Sequence, residues 1–184
     1  MKKLGFLLCL SLILSGCNNS KKEYEDQRQK YENYMELIID NSKQITTNIP
    51  FHWEFNMTES EGKYIYEVII SKPLIEMNNI QMLAVDIEKI SESDISPNLG
   101  LFEEERYNMI PNQICVEKGY YPGIGVNGIS NSDKFILNCL VVYKDRKQSD
   151  NYVYFIINAD YDDFKVKEVS NDENKEVTKD EGKQ

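Results

Sequence analysis

Phe135-Ile136-Leu137-Asn138-Cys139-Leu140-Val141-Val142-Tyr143 is the stretch on which the fold class turns. Apart from Asn138 it consists of apolar, β-branched and aromatic side chains, the composition that suits a pleated strand. Side chains alternate across a strand, so Phe135, Leu137, Cys139, Val141 and Tyr143 share one face and Ile136, Asn138, Leu140 and Val142 the other. Asp145 to Asn151 reads as a turn, Tyr152 to Asn158 as another aromatic, β-branched strand, and Phe164 to Val169 as a last one.

Toward the N-terminus the same period recurs. Phe51, Trp53, Phe55 and Met57 alternate with His52, Glu54 and Asn56, and Tyr64, Tyr66, Val68 and Ile70 alternate with Ile65, Glu67 and Ile69. With a polar turn over Thr58 to Gly62, these make a hairpin from 51 to 71, ended by Ser71-Lys72-Pro73. Ile80 to Ile87 is a third strand with Leu83, Val85 and Ile87 on one face, and Glu88 to Gly100 a polar loop. Leu101-Phe102 and Tyr107 to Ile110 are short apolar patches, and Gln113 to Val116 another strand. Lys118 to Gly128, rich in Gly, Tyr and Pro, is a loop leading into a strand near Val126.

Short strands with polar turns and no helix between them predict a mainly β domain, an antiparallel β-sandwich of immunoglobulin-like or Greek-key type over residues 48–169. Trp53 precedes both Cys115 and Cys139, so the Cys–Trp–Cys order of true immunoglobulin domains is absent, and the expectation concerns architecture alone. One N-terminal α-helix is predicted over residues 23–45, a stretch without Gly or Pro in which Tyr24, Tyr31, Ile38 and Ile45 recur every seven residues. Gln27 and Asn41 interrupt its apolar stripe, which favours packing on its own domain over a coiled-coil stalk. Residues 170–184 are charged and almost without apolar side chains, the composition of a disordered tail.

Ahead of all this stand two lysines, Lys2 and Lys3, an apolar run from Leu4 to Leu14, and Leu14-Ser15-Gly16-Cys17. That order of basic, apolar and small residues is a secretory signal, and its ending resembles the lipobox of bacterial prolipoproteins. The resemblance implies a diacylglyceryl group on Cys17, removal of residues 1–16 as a signal peptide, and residues 17–22 as lipidated Cys and linker. The partner it implies is the lipid bilayer, with the domain held at the cell membrane on the extracytoplasmic side. Residues 4–14 are themselves too short to span a bilayer, which takes about 20 apolar residues.

Charge narrows the partners further. The 21 Lys and Arg less Lys2 and Lys3 leave 19 against 31 Asp and Glu, a formal net charge of −12 after residue 16. An acidic chain with no basic patch is repelled by nucleic acid, so no nucleic-acid partner is expected. Cys115 and Cys139 are the two cysteines of the folded part, and an even pair in an exported protein suggests a disulfide, worth about 3 kcal/mol for a loop of ~25 residues.

No catalytic residue or cofactor stands out. Gly123-Ile124-Gly125-Val126-Asn127-Gly128 matches G-x-G-x-x-G, but Pro122 precedes it and no helix follows, so a glycine-rich turn explains it better than a dinucleotide site. Asn158, Asp160 and Asp162 have the spacing of a calcium loop's first ligands, yet Asp163 stands where Gly is needed and Val169 where Glu is, so no metal is expected beyond a weak calcium candidate at Asp160, Asp162 and Asp163. His52 is the only histidine, and Glu103 to Glu105 are consecutive rather than convergent. Tyr120-Tyr121-Pro122, in a chain with 12 tyrosines, is the candidate contact loop, because tyrosine offers contact area at low entropy cost.

The leading functional expectation is a membrane-anchored lipoprotein whose sandwich is a binding or scaffolding domain for an envelope protein or glycan. One alternative is a lipid-anchored accessory subunit of a membrane transporter or sensor complex, docking through the 23–45 helix. Another is a cell-envelope hydrolase, which needs two carboxylates about 5–10 Å apart in a cleft.

Overall fold

The apolar run becomes β6 (Lys134–Lys144), a central strand of a four-stranded sheet. The computed structural model describes residues 4–90 and 94–163, with side chains from Lys22 onward. The other elements are α1 (Leu4–Asp40), β1 (His52–Ser60), β2 (Lys63–Ser71), β3 (Asn78–Val85), β4 (Asn98–Leu99), β5 (Gly123–Ser130) and β7 (Asp150–Asp160). Two antiparallel sheets result, one ordered β1-β2-β5 and the other β4-β3-β6-β7. The chain is an antiparallel β-sandwich of immunoglobulin-like strand order preceded by one helix. Relative to the immunoglobulin constant-type arrangement, the fourth strand has moved from the edge beside β5 to the edge beside β3.

The main core lies between the sheets. Met57, Tyr66, Val68, Ile70 and Val126 from the three-stranded sheet meet Ile80, Met82, Ala84, Phe135, Leu137, Cys139, Val141, Phe155 and Ile157 from the other. Trp53 stacks on Phe155 at 5.3 Å between ring centroids, while His52 and Glu54 face solvent, as the alternation requires. The β1–β2 turn is tighter than predicted. β1 continues to Ser60, and Glu61-Gly62, both at positive φ (52° and 75°), close a two-residue hairpin.

A second core lies on the opposite face of the four-stranded sheet. Tyr31 and Ile38 of α1 are buried there with Leu83, Val85, Leu101, Leu140, Val142 and Tyr154. Each such side chain contributes about 1.5–3 kcal/mol when taken out of water. The buried amide of Gln81 is satisfied by the helix, since the Tyr34 hydroxyl donates to its Oε1 at 3.1 Å. The Ser96 N–H donates to the Tyr31 hydroxyl at 2.9 Å. The helix therefore packs on its own domain.

Its limits differ from the prediction. α1 ends at Asp40 rather than Ile45. Beyond it the helical ladder gives way to turns: the Ser42 N–H donates to Ile39 O at 3.3 Å and the Gln44 N–H to Asn41 O at 2.8 Å, while the Asn41 side-chain Nδ2 donates to Leu37 O at 2.8 Å. Among the described residues no helix is long and apolar enough to cross a membrane.

Three other segments depart from the sequence reading. β3 stops at Val85 because Asp86 caps a 3-10 turn (Ile87–Lys89), accepting from the Glu88 N–H, so Ile87 is not a strand residue. Gln113 to Val116 makes only isolated bridges, since Val116–Lys118 is already a 3-10 turn. Gly123 to Ser130 is a full strand, not a glycine-rich turn, because β2 pairs with every residue of it. The predicted strand Phe164 to Val169 and the tail 170–184 lie outside the described residues.

Candidate functional site

At one end of the sandwich three connections converge: the β2–β3 link, the 108–122 loop and the β6–β7 turn. Ser71 ends β2, and Lys72 turns left-handed (φ 49°) ahead of Pro73. The Leu74 N–H donates to Pro50 O at 2.8 Å, which leaves the Leu74 side chain 73% exposed. Met77 and Met109 exchange both backbone hydrogen bonds at 2.9 Å, and both side chains are fully buried. Asn79, left-handed at φ 49°, sits at the bulge that opens the β3–β6 register, where its N–H is held by Asn108 Oδ1 at 2.9 Å. Asn108 Nδ2 also donates to Gly119 O at 3.0 Å.

These bonds fix the backbone and turn Ile110, Pro111, Ile114 and Val116 outward. Ile114 is 66% exposed. Of the five non-glycine residues at positive φ among those described, four (Lys72, Asn79, Asn112 and Gln148) lie at this end. Such conformations cost about 1–3 kcal/mol each and gather where a site must be held in shape.

Two adjoining hollows of about 560 and 490 Å³ share Leu74, Ile110 and Pro111. The first is completed by Ile114, Tyr121 and Pro122, the second by Ile75 and the polar rim of Glu76, Asp145, Arg146 and Lys147. Glu76 accepts from Asn78 at 3.0 Å and pairs with Arg146 Nε at 2.6 Å, and these bonds, the Asn78 one first, hold its carboxyl below the usual range. The Asp145 carboxylate accepts from the Lys147 and Ser149 N–H groups, fixing the turn. The floor is thus aliphatic and the rim carries both signs of charge.

The predicted contact loop contributes in part. Tyr121 and Pro122 line the first hollow, and the Tyr121 ring packs on Tyr107 at 5.3 Å. Tyr120 is half-buried and serves the loop itself through its backbone bridge to Cys115. Leu74, Ile75 and Ile114 were not expected here. The available signal was an apolar pair directly after the Ser71-Lys72-Pro73 break, and an Ile114-Cys115-Val116 triplet with no alternation.

The other candidate residues lie apart. Cys115 and Cys139 are free thiols, not the disulfide that their even count suggests. Cys115 lies in the loop anchored at Met77, whereas Cys139 pairs with Ala84, seven residues further along β3 and about 20 Å away at strand rise. Burial among the core side chains pushes the Cys139 thiol far up from its ordinary value. Asp160, Asp162 and Asp163 do not converge. Asp160 closes a 2.7 Å ion pair with Lys134 and accepts the Asp162 N–H, and among the described residues no three metal-binding side chains gather. His52 is exposed, 3.9 Å from Glu54. Glu103 accepts the Gly100 N–H at 2.7 Å and Glu105 the Tyr107 hydroxyl at 3.2 Å, so both serve the loop. The backbone at Cys17 lies within α1.

Compared with protein-family models, curated proteins and solved structures, the chain shows no match.

Proposed function

We propose that this chain is a membrane-anchored bacterial lipoprotein whose β-sandwich is an extracytoplasmic binding or scaffolding domain. Its contact surface is the apolar end built from Leu74, Ile75, Ile110, Pro111, Ile114 and Pro122. The observation that carries the reading is the concentration of exposed aliphatic side chains on a hydrogen-bonded, left-handed framework at one end of the domain. The lipobox-like Leu14-Ser15-Gly16-Cys17 supplies the anchor. An aliphatic floor suits a protein partner better than a glycan, whose hydroxyls need stacked aromatic and polar groups. The accessory-subunit alternative would use this same end, since Tyr31 and Ile38 of the helix are taken up by the sheet.

Expression in a bacterial host followed by mass spectrometry of the membrane fraction tests the anchor. The expected product begins at Cys17 and carries acyl chains, and Cys17→Ser leaves an unprocessed, unacylated precursor. A wild-type product that keeps residues 1–16 without acyl groups and stays in the cytosol would overturn the reading.

A further inference from the structure

The apolar end carries ridges and hollows side by side. Leu74 lines both hollows and is largely exposed, so it stands as a ridge between them. Ile114, also largely exposed, rises from the lining of the first hollow, and Ile75 from that of the second. Every residue lining the two hollows is described. The backbone beneath is fixed by the Leu74–Pro50 and Met77–Met109 hydrogen bonds. A surface with both features is complementary to itself. The ridge of one molecule fits the hollow of another while receiving the other's ridge in return. That reciprocity is what a two-fold interface requires, in which residue i meets j and j meets i.

Charge points the same way. Lys72, Arg146 and Lys147 line the hollows against Glu76 and Asp145, a balance of +1 in a chain of net charge −10, so the rest of the chain sums to −11. Two copies therefore repel each other through the rest of the chain and not through this end. Both signs are present on the rim, so a basic group of one copy meets an acidic group of the other. Arg146 donates to Glu76 through Nε, and its side chain is 82% exposed, which leaves its remaining N–H groups in solvent.

We propose that this end is a two-fold interface between two copies of the chain. The proposal names the partner of the contact surface described above and rests on that reading. Leu74 and Ile114 of each copy seat in the hollows of the other, and each Arg146 reaches a carboxylate of the opposite rim. A foreign segment would use either the ridges or the hollows, whereas a second copy uses both at once. The patch is a cluster of three connections rather than a whole sheet face, so the pair forms reversibly.

Sedimentation equilibrium of residues 17–184 carrying Cys17→Ser, the unacylated form of the expected mature chain, tests this up to about 1 mM. A monomer–dimer equilibrium is expected. Leu74→Glu and Ile114→Glu should each raise its dissociation constant at least tenfold, since each sets a carboxylate against an aliphatic wall twice per dimer. Ile129→Glu, at an exposed position on the outer face of the three-stranded sheet, should change it less than about twofold. A chain that stays monomeric throughout would overturn the proposal, as would a dimer that survives Leu74→Glu and Ile114→Glu together. So would a monomer that dimerises only once residues 164–184 are removed, because this chain's own tail would then be what covers the end. The acyl mass at Cys17 tests the anchor and the unfolding of Leu74→Glu tests the exposed surface, so a failed pair is told apart from a failure of either.

Discussion

Among the described residues the four-stranded sheet is covered on both faces, the three-stranded sheet on one. Every residue of β3 from Ile80 to Val85 is buried, because Ile80, Met82 and Ala84 face the opposite sheet while Leu83 and Val85 face the helix. β1 instead alternates, with Phe55 and Met57 turned inward and Glu54 and Asn56 in water. A strand's composition thus reports how many layers cover it. The helix is what permits the long apolar run of β6 in a small acidic domain. The outer face of β1, β2 and β5 stays polar apart from Ile65, Ile69 and Ile129.

The largest expected effect comes from breaking the second layer. Ile38→Asp puts an unpaired carboxylate against Leu83, Leu140 and Val142, and should cost about 4 kcal/mol or more in denaturant unfolding. A near-neutral result would mean that the helix does not pack. Next, Trp53→Ala should cost about 3 kcal/mol, because the ring stacks on Phe155, whereas His52→Ala on the wet face should stay within about 0.5 kcal/mol. Equal costs at the two positions would mean a cover over the three-stranded sheet as well. Leu74→Glu and Ile114→Ser should each change stability by less than about 0.5 kcal/mol, which would separate the exposed apolar end from the core. A loss comparable to a core truncation would assign those side chains to folding rather than contact.

The smallest effect is electrostatic. The hydrogen bond from Lys134 holds the Asp160 carboxyl below its ordinary value, and Asp160 in turn raises Lys134. A depressed carboxylate contributes stability above its unfolded value and loses it as pH falls through the folded one. A raised lysine contributes below its unfolded value and loses that as pH rises through the folded one. Lys134→Ala should therefore lower stability between the ordinary Asp and Lys ranges and leave it unchanged at the acid extreme. A loss that persists there would mean that the Lys134 stem, not its charge, is what matters at the strand end.

What the sequence made legible follows the same division. The register of β1 was readable because one face is wet, so polar residues mark every second position. The limits of β3 were not, because a strand buried on both sides has no alternation to end, and its stop depends on the Asp86 cap. β5 was hidden by its glycines, yet Gly125 is needed within a strand, since a Cβ there would lie 2.8 Å from Val68 O. Of the two hollows only the Tyr121 and Pro122 side of the first was singled out by the sequence. Leu74 and Ile114 carried no such mark, because nothing local says that the bonds through Pro50, Met109 and Asn108 turn them out.

Leu137 and Leu140, three residues apart on β6, test the two-sided cover most directly. Both are fully buried, Leu137 between the sheets and Leu140 beneath the helix. Denaturant unfolding of Leu137→Ala and Leu140→Ala should give losses of about 2–5 kcal/mol each, alike to within about 1 kcal/mol. A loss at Leu137 with none at Leu140 would contradict the account, leaving a two-layer sandwich with an unattached helix.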